Sequence, residues 1–305
     1  MKKLFDREIA IRTDFLTNKL GSNQQIKLSV LRLDCIHPII SGNKLFKLHD
    51  FFDPKNNTPN STVITFGGAY SNHLVATAFY CKEKHVGCVG VVRGEKPAVL
   101  SQTLQQCQLY GMQLQFISRE AYKQKEKHPL IKEIIAAYKN CIIIPEGGYS
   151  PKGATGASKI NNWIGKGSTH ICTAVGTATT IAGLALASAD SQQIIGISVL
   201  KGMKDWEQRI EFLTGNSSLI KKIKFIDGYD FGGYAKYSSA LISFMNNCYE
   251  QFNIPTDFVY TAKMMFAVFD MINNNYFEPG SNIVCIHTGG LQGNLSLPSG
   301  TLTFE

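Results

Sequence analysis

Short apolar runs alternate along this chain with longer stretches in which apolar residues recur at helical spacing, and glycine-rich or polar turns separate them. The runs predict strands at 63–66, 88–92, 113–117 and 141–144, with helices near 72–84, 98–110 and 129–138. A second series predicts a helix near 154–164, strands at 171–175, 194–199 and 222–226, helices near 234–250 and 261–273, and a strand at 282–286. Repeated strand-helix units predict the α/β class, with parallel sheets and right-handed crossovers. The expected architecture is two doubly wound parallel-sheet lobes. Residues 1–49 and 153–305 form the larger, 50–152 the smaller, and the polar loop at 54–60 marks one boundary. Ligand is expected outside the carboxyl ends of the strands, where turns lead into helices.

Three of those places carry candidate chemistry. In Ser41-Gly42-Asn43-Lys44-Leu45-Phe46-Lys47-Leu48, a lysine enters the first turn of a helix whose apolar face is Leu45, Phe46, Leu48, Phe51 and Phe52, with Asn43 as the expected N-cap. Burial and the positive end of the helix dipole both disfavour an ammonium ion at Lys44, so its pKa is expected to fall toward the neutral amine that forms Schiff bases. The strand at 63–66 runs into Gly67-Gly68-Ala69-Tyr70-Ser71-Asn72-His73, a glycine turn and helix start suited to a carboxylate or phosphate. Ile171-Cys172-Thr173-Ala174-Val175 runs into Gly176-Thr177-Ala178-Thr179-Thr180, small and hydroxylated residues that can wrap one phosphate. That turn lacks the Gly-Lys-Ser/Thr ending of a P-loop, and the chain has no G-x-G-x-x-G. Each segment alone also suits a plainer role: a surface lysine, a capping Ser-Asn pair, a tight strand-to-helix turn. Together they suggest pyridoxal 5′-phosphate holding an amino acid.

From about Leu31 to the C-terminus the chain resembles the 1-aminocyclopropane-1-carboxylate deaminase and D-cysteine desulfhydrase family, fold type II (tryptophan-synthase-β-like) pyridoxal-phosphate enzymes. Its G-N-K-x-x-K-L motif falls on Gly42 to Leu48, its S-N-[HQ] motif on Ser71, Asn72 and His73, and its H-[TL]-G-G segment on His287 to Gly290. Phe231-Gly232-Gly233-Tyr234 resembles a substrate-facing tyrosine loop, and Asp257-Phe258-Val259-Tyr260-Thr261-Ala262-Lys263 resembles D-P-V-Y-[ET]-G-K. Pro145-Glu146-Gly147-Gly148, with Gly153 and Gly156, resembles the segment that leads back from the smaller lobe.

The resemblance implies roles. Lys44 is the Schiff-base lysine and Lys47 the motif's second lysine. Asn72 meets the cofactor's 3′-oxygen, Ser71 and its neighbours Asn72 and His73 receive the substrate carboxylate, and Gly176, Thr177, Ala178, Thr179 and Thr180 hold the phosphate. Thr261 faces the pyridine nitrogen, Thr288 adds a hydrogen bond near the ring, and Tyr234 and Tyr260, with Ser71 as helper, serve the reacting carbon. Deaminases of the cyclopropane substrate have glutamate at the position of Thr261, whereas the desulfhydrase branch has threonine there and His after Ser-Asn. Thr261 and His73 therefore imply a D-cysteine desulfhydrase-type α,β-elimination giving pyruvate, ammonia and sulfide. The alternatives are ring opening to 2-oxobutyrate and ammonia, and a pyridoxal-phosphate-binding protein without turnover. Departures include Phe46 where many members have arginine, and Ala178 and Thr179 where they have glycine. A small amino acid substrate and a homodimer complete what is implied.

Composition narrows this further. With 305 residues, 44% hydrophobic and 18% charged, the chain can bury a large core and is not of disordered type. No run of signal-peptide or membrane-spanning character occurs, so the expectation is cytoplasmic, with no membrane partner. Eight cysteines without C-x-x-C or H-E-x-x-H read as buried thiols, with no metal site. The net +8 is scattered, and its densest clusters, at 82–85 and 123–127, include glutamate, so no nucleic-acid partner is expected.

Overall fold

The computed structural model describes residues 2–4, 7–16, 25–37, 40, 42–52 and 61–304. Ser41 and the loop at 54–60 therefore lie outside the described residues. First come a short antiparallel pair, β1 (Lys2–Leu4) and β2 (Arg7–Ile9), then β3 (Thr13–Phe15), β4 (Lys27–Arg32) and α1 (Asn43–His49). Next are β5 (Thr62–Gly67), α2 (Asn72–Glu83), β6 (Gly87–Arg93), α3 (Gln102–Leu109), β7 (Gln113–Ile117), α4 (Arg119–Lys123), α5 (Pro129–Ala136) and β8 (Cys141–Ile144). The remainder comprises α6 (Pro151–Ser158), β9 (His170–Val175), α7 (Thr179–Ala187), β10 (Gln193–Ser198), α8 (Trp206–Thr214), β11 (Ile223–Ile226), α9 (Ser239–Phe252), α10 (Thr261–Asn273) and β12 (Asn282–His287).

Two sheets organise these elements. β7-β6-β5-β8 is parallel throughout, and β11-β10-β9-β12-β4-β3 is parallel except for its antiparallel edge strand β3. The α/β expectation with two parallel sheets therefore holds. Both are covered on both faces, which is why their central strands read as unbroken apolar runs. On β9 and β12, Cys172, Ala174, Ile283 and Cys285 pack with Met264, Met265 and Val268 of α10. Their neighbours Ile171, Val175, Val284 and Ile286 belong to a larger cluster with Ile181 and Leu184 of α7.

Helix boundaries moved where caps decided them. α3 starts late because Ser101 accepts from the amide of Leu104, and α6 starts early because Ser150 accepts from that of Gly153 ahead of Pro151. The helix expected near 234–250 begins at Ser239, because Phe231, Gly232, Gly233 and Ala235 all take left-handed backbone and Ser238 caps α9. β3, β4, α4 and α8 were not anticipated. β4 ends in Arg32, a charge that pattern reading places on a surface but that is buried between Asp14 and Asp34. All eight cysteines are free; Cys35 is exposed and Cys141 half-buried, contrary to the uniformly buried expectation. Among the described residues no helix is long and apolar enough to cross a membrane, and no cluster of His, Cys, Asp and Glu could hold a metal.

Candidate active site

Between the carboxyl ends of the two sheets lies a cavity of about 680 Å³. It is entered from one side by α1. Gly42, at φ 77°, lies so close to the β12 turn that a Cβ there would stand 1.9 Å from the carbonyl oxygen of Thr288, so only glycine fits. The amide of Asn43 donates to that same oxygen at 3.2 Å. Gly42, and not Asn43, is the N-cap; the Asn43 side chain points across the site instead. Its Nδ2 donates to Thr180 Oγ1 at 2.7 Å and its Oδ1 accepts from Lys44 Nζ at 2.7 Å. Asn43 thus ties the lysine to the start of α7.

Burial pushes the Lys44 amine down to about 8, with the Asp257 carboxylate opposing. Lys47, one turn on, is buried too and is pushed well below the ordinary range by burial and then by Lys44. Its Nζ reaches the carbonyl of Gly147 at 3.4 Å and, among the described residues, no carboxylate. An amine pushed down in this way becomes a stable cation only beside an anion.

The turns beside it can receive one. Gly176, Thr177 and Thr180 line the cavity at the N-terminus of α7. Ala178 and Thr179 are buried and do not line it; Thr179 shares a 2.9 Å hydroxyl contact with Thr177. Ala178, at φ 67°, is left-handed, the conformation glycine adopts freely. At the β5 turn, Ser71 Oγ caps α2 by accepting from the amide of Leu74 at 3.3 Å. Asn72 lines the cavity and its buried Oδ1 has no hydrogen-bond partner. His73 is tied back into the fold: Thr65 donates to the Ile144 carbonyl at 2.8 Å, so His73 Nε2 donates to Thr65 Oγ1 at 2.8 Å. Burial, then the charges of Lys44 and Lys47, push that imidazole down to about 3.

Tyr260 and Tyr234 face each other across the cavity mouth, Tyr260 OH donating to Tyr234 OH at 3.3 Å. Burial raises both phenols, so they stay protonated at neutral pH. Thr288 lines the wall under α1. Thr261 does not reach the cavity. It is fully buried, and its hydroxyl donates to Asp257 Oδ2 at 2.6 Å. Asp257 in turn accepts from the amides of Val259, Tyr260 and Thr261. Thr261 opens α10 directly after the non-helical Tyr260, and its hydroxyl is turned back onto Asp257, behind the wall.

Sequence reading passed over two working residues. Asn43 was expected to cap, and Lys263 was only a motif letter. Fully buried, Lys263 Nζ donates to the carbonyls of Asp230 and Gly233 at 2.7 and 2.8 Å and so ties down the loop that presents Tyr234. His287 is packed as expected: Nε2 donates to the Pro255 carbonyl at 2.7 Å, and Nδ1 lies 3.1 Å from Asp34 Oδ1.

A lysine with a weakened proton, a buried cation beside a hydroxyl-lined helix start and an orphaned amide oxygen fit a phosphate-bearing aldehyde with a ring hydroxyl. The profile of the family described as pyridoxal-phosphate dependent enzyme matches residues 11–289. The chain belongs to that family. A protein of Pyrococcus abyssi (strain GE5 / Orsay), provisionally named 1-aminocyclopropane-1-carboxylate deaminase, is 29% identical over 274 residues, 83% of this chain and 81% of its own. The D-cysteine desulfhydrase of Salmonella choleraesuis (strain SC-B67) is 26% identical over 281 residues, 85% of this enzyme and 86% of its own length. The solved structure of a homologue of 1-aminocyclopropane-1-carboxylate deaminase shares the fold, with a TM-score of 0.78 at 23% identity, covering 93% of this chain and 90% of that one.

Proposed function

We propose that this pyridoxal-phosphate enzyme performs α,β-elimination on a small β-substituted amino acid, of the D-cysteine desulfhydrase type, releasing pyruvate, ammonia and sulfide. The observation that carries this reading is the convergence on one cavity of Lys44, whose amine is pushed down to about 8, and the phenol pair Tyr234 and Tyr260. When bound, the cofactor supplies the aldehyde that takes the amine and the ring that accepts electrons from the α-carbon.

Lys47, Gly176, Thr177 and Thr180 would hold its phosphate, Asn72 Oδ1 would accept from its ring hydroxyl, and Thr288 would stand near the ring. Thr179 and Ala178 act through the backbone of the turn. Once displaced by the substrate amine, Lys44 takes the α-proton onto Nζ. Ser71 and the amides at the start of α2 hold the substrate carboxylate, while His73, neutral and tethered to Thr65, fixes the turn that carries them. The protonated phenols orient the leaving group and offer it a proton. Position 261 carries threonine where the cyclopropane deaminases carry glutamate, and this supports elimination over cyclopropane opening.

Ring opening is the second reading, supported by similarity to the Pyrococcus abyssi protein. Purified, cofactor-loaded protein mixed with D-cysteine, L-cysteine and 1-aminocyclopropane-1-carboxylate separates them. Pyruvate from a cysteine supports elimination. Production of 2-oxobutyrate from the cyclopropane, without pyruvate from either cysteine, overturns it.

A further inference from the structure

Beyond the tyrosines the cavity does not end. Arg93, the last residue of β6, and Glu146 line both it and an adjoining cavity of about 460 Å³, whose other walls are Arg119, Tyr122, Lys123 and Lys125. Four cationic side chains therefore share this basin with one carboxylate, and that carboxylate is already paired: Lys125 Nζ lies 2.5 Å from Glu146 Oε2. Among the described residues no carboxylate pairs with Arg93, Arg119 or Lys123. Arg93 and Lys125 both sit against the ring of Tyr122, at 5.8 and 3.5 Å from its centroid. Tyr122 is itself 3% exposed, and the Glu146 carboxylate lies close enough to its hydroxyl to hold the phenolic proton in place. Arg93, Arg119 and Lys123 are exposed, so the basin is a concentration of positive charge facing solvent and open to an anionic group.

The basin adjoins both Tyr234 and the turn that carries Ser71. Arg93 and Glu146 are close enough to Tyr234 for their charges to act on its phenol, and a Cβ on Gly68, in the turn before Ser71, would stand 3.6 Å from an Arg93 guanidinium nitrogen. A ligand held by its α-carboxylate at Ser71 therefore meets Arg93 next.

We propose that the substrate is an α-amino acid whose side chain ends in a second anionic group, received by Arg93 and the Arg119, Lys123 and Lys125 basin. This rests on the reading of the Lys44 cavity as an amino-acid site. A planar guanidinium suits a carboxylate, phosphate or sulfonate alike, and the half-open basin makes the attraction sensitive to salt.

Two isosteres test it. S-carboxymethylcysteine and S-carboxamidomethylcysteine, as both enantiomers, differ at the far end only in charge. Their affinities for the holoenzyme are read by calorimetry, beside pyruvate release from D- and L-cysteine. The expected result is at least about tenfold tighter binding of the charged compound, a preference that shrinks with added salt and falls toward unity in Arg93→Gln and in the surface variant Arg119→Gln. Equal affinities in the unaltered protein, or no binding of either compound, overturn the proposal whatever the cysteines do. A charged preference without pyruvate from either cysteine or from S-carboxymethylcysteine upholds it and overturns the elimination reading instead.

Discussion

Lys263→Met separates the positioning of Tyr234 from the stability of the fold. The lysine is fully buried, and its two hydrogen bonds, to the carbonyls of Asp230 and Gly233, are the tether of a loop with left-handed backbone at Phe231, Gly232, Gly233 and Ala235. Hydrogen bonds from a charged donor contribute about 1.5–3 kcal/mol each, so the tether is worth roughly 3–6 kcal/mol to the loop. Burial also pushes Lys263 from the usual 10.5 down to about 8, so holding the ammonium there costs roughly 3 kcal/mol. Methionine keeps most of the stem and removes both contributions, which partly offset. The expected outcome is a loss of unfolding free energy of no more than about 3 kcal/mol, with normal cofactor loading, because Tyr234 does not hold the phosphate. Turnover should fall on the order of 10²-fold, because a loosened loop displaces Tyr234 by about 1 Å or more. Denaturant unfolding, cofactor absorbance and steady-state kinetics on the same preparation read all three. A variant that turned over at the parental rate while losing several kcal/mol of stability would refute the argument.

Three further outcomes are expected of the site. Ala178→Gly should raise stability by about 0.5–1 kcal/mol, since it relieves a left-handed alanine at φ 67° and loses part of that gain to glycine's freer unfolded chain; a lower melting temperature would show the turn to be unstrained. Capture of pyridoxal phosphate by the cofactor-free chain needs the neutral Lys44 amine, so with a pKa of about 8 its rate should climb about twentyfold between roughly pH 6.5 and 8.5, and a flat stopped-flow profile would contradict this. His73 is held neutral down to about 3 while an unfolded histidine protonates near 6.5, so the unfolded state binds the extra proton and stability must fall as pH drops below that value. Denaturation midpoints of the parent and of His73→Gln, compared between about pH 6.5 and 5, should show a shallower loss in the variant, where no imidazole at 73 can charge.

Much of this was open to reading along the chain. Buried parallel strands announce themselves as apolar runs, and the turns at their carboxyl ends must hold glycines and small hydroxyl residues, so the Lys44, Ser71 and Gly176 segments declare themselves locally. β4 did not, because it carries the buried Arg32, whose partner Asp14 lies on the neighbouring strand β3. Pairings across long separations are likewise invisible to spacing: Asn43 meets Thr180, and Lys263 meets the loop at 230–233, only because helices pack at the same cavity. Thr261 marks the sharpest limit. The family resemblance implied that it faces the pyridine nitrogen, whereas the packing at the start of α10 gives the Thr261 hydroxyl to Asp257. Local sequence dictates which backbone shapes and chemical types are present; only packing decides which of them face one another, because that depends on the rotation and approach of elements far apart in the chain.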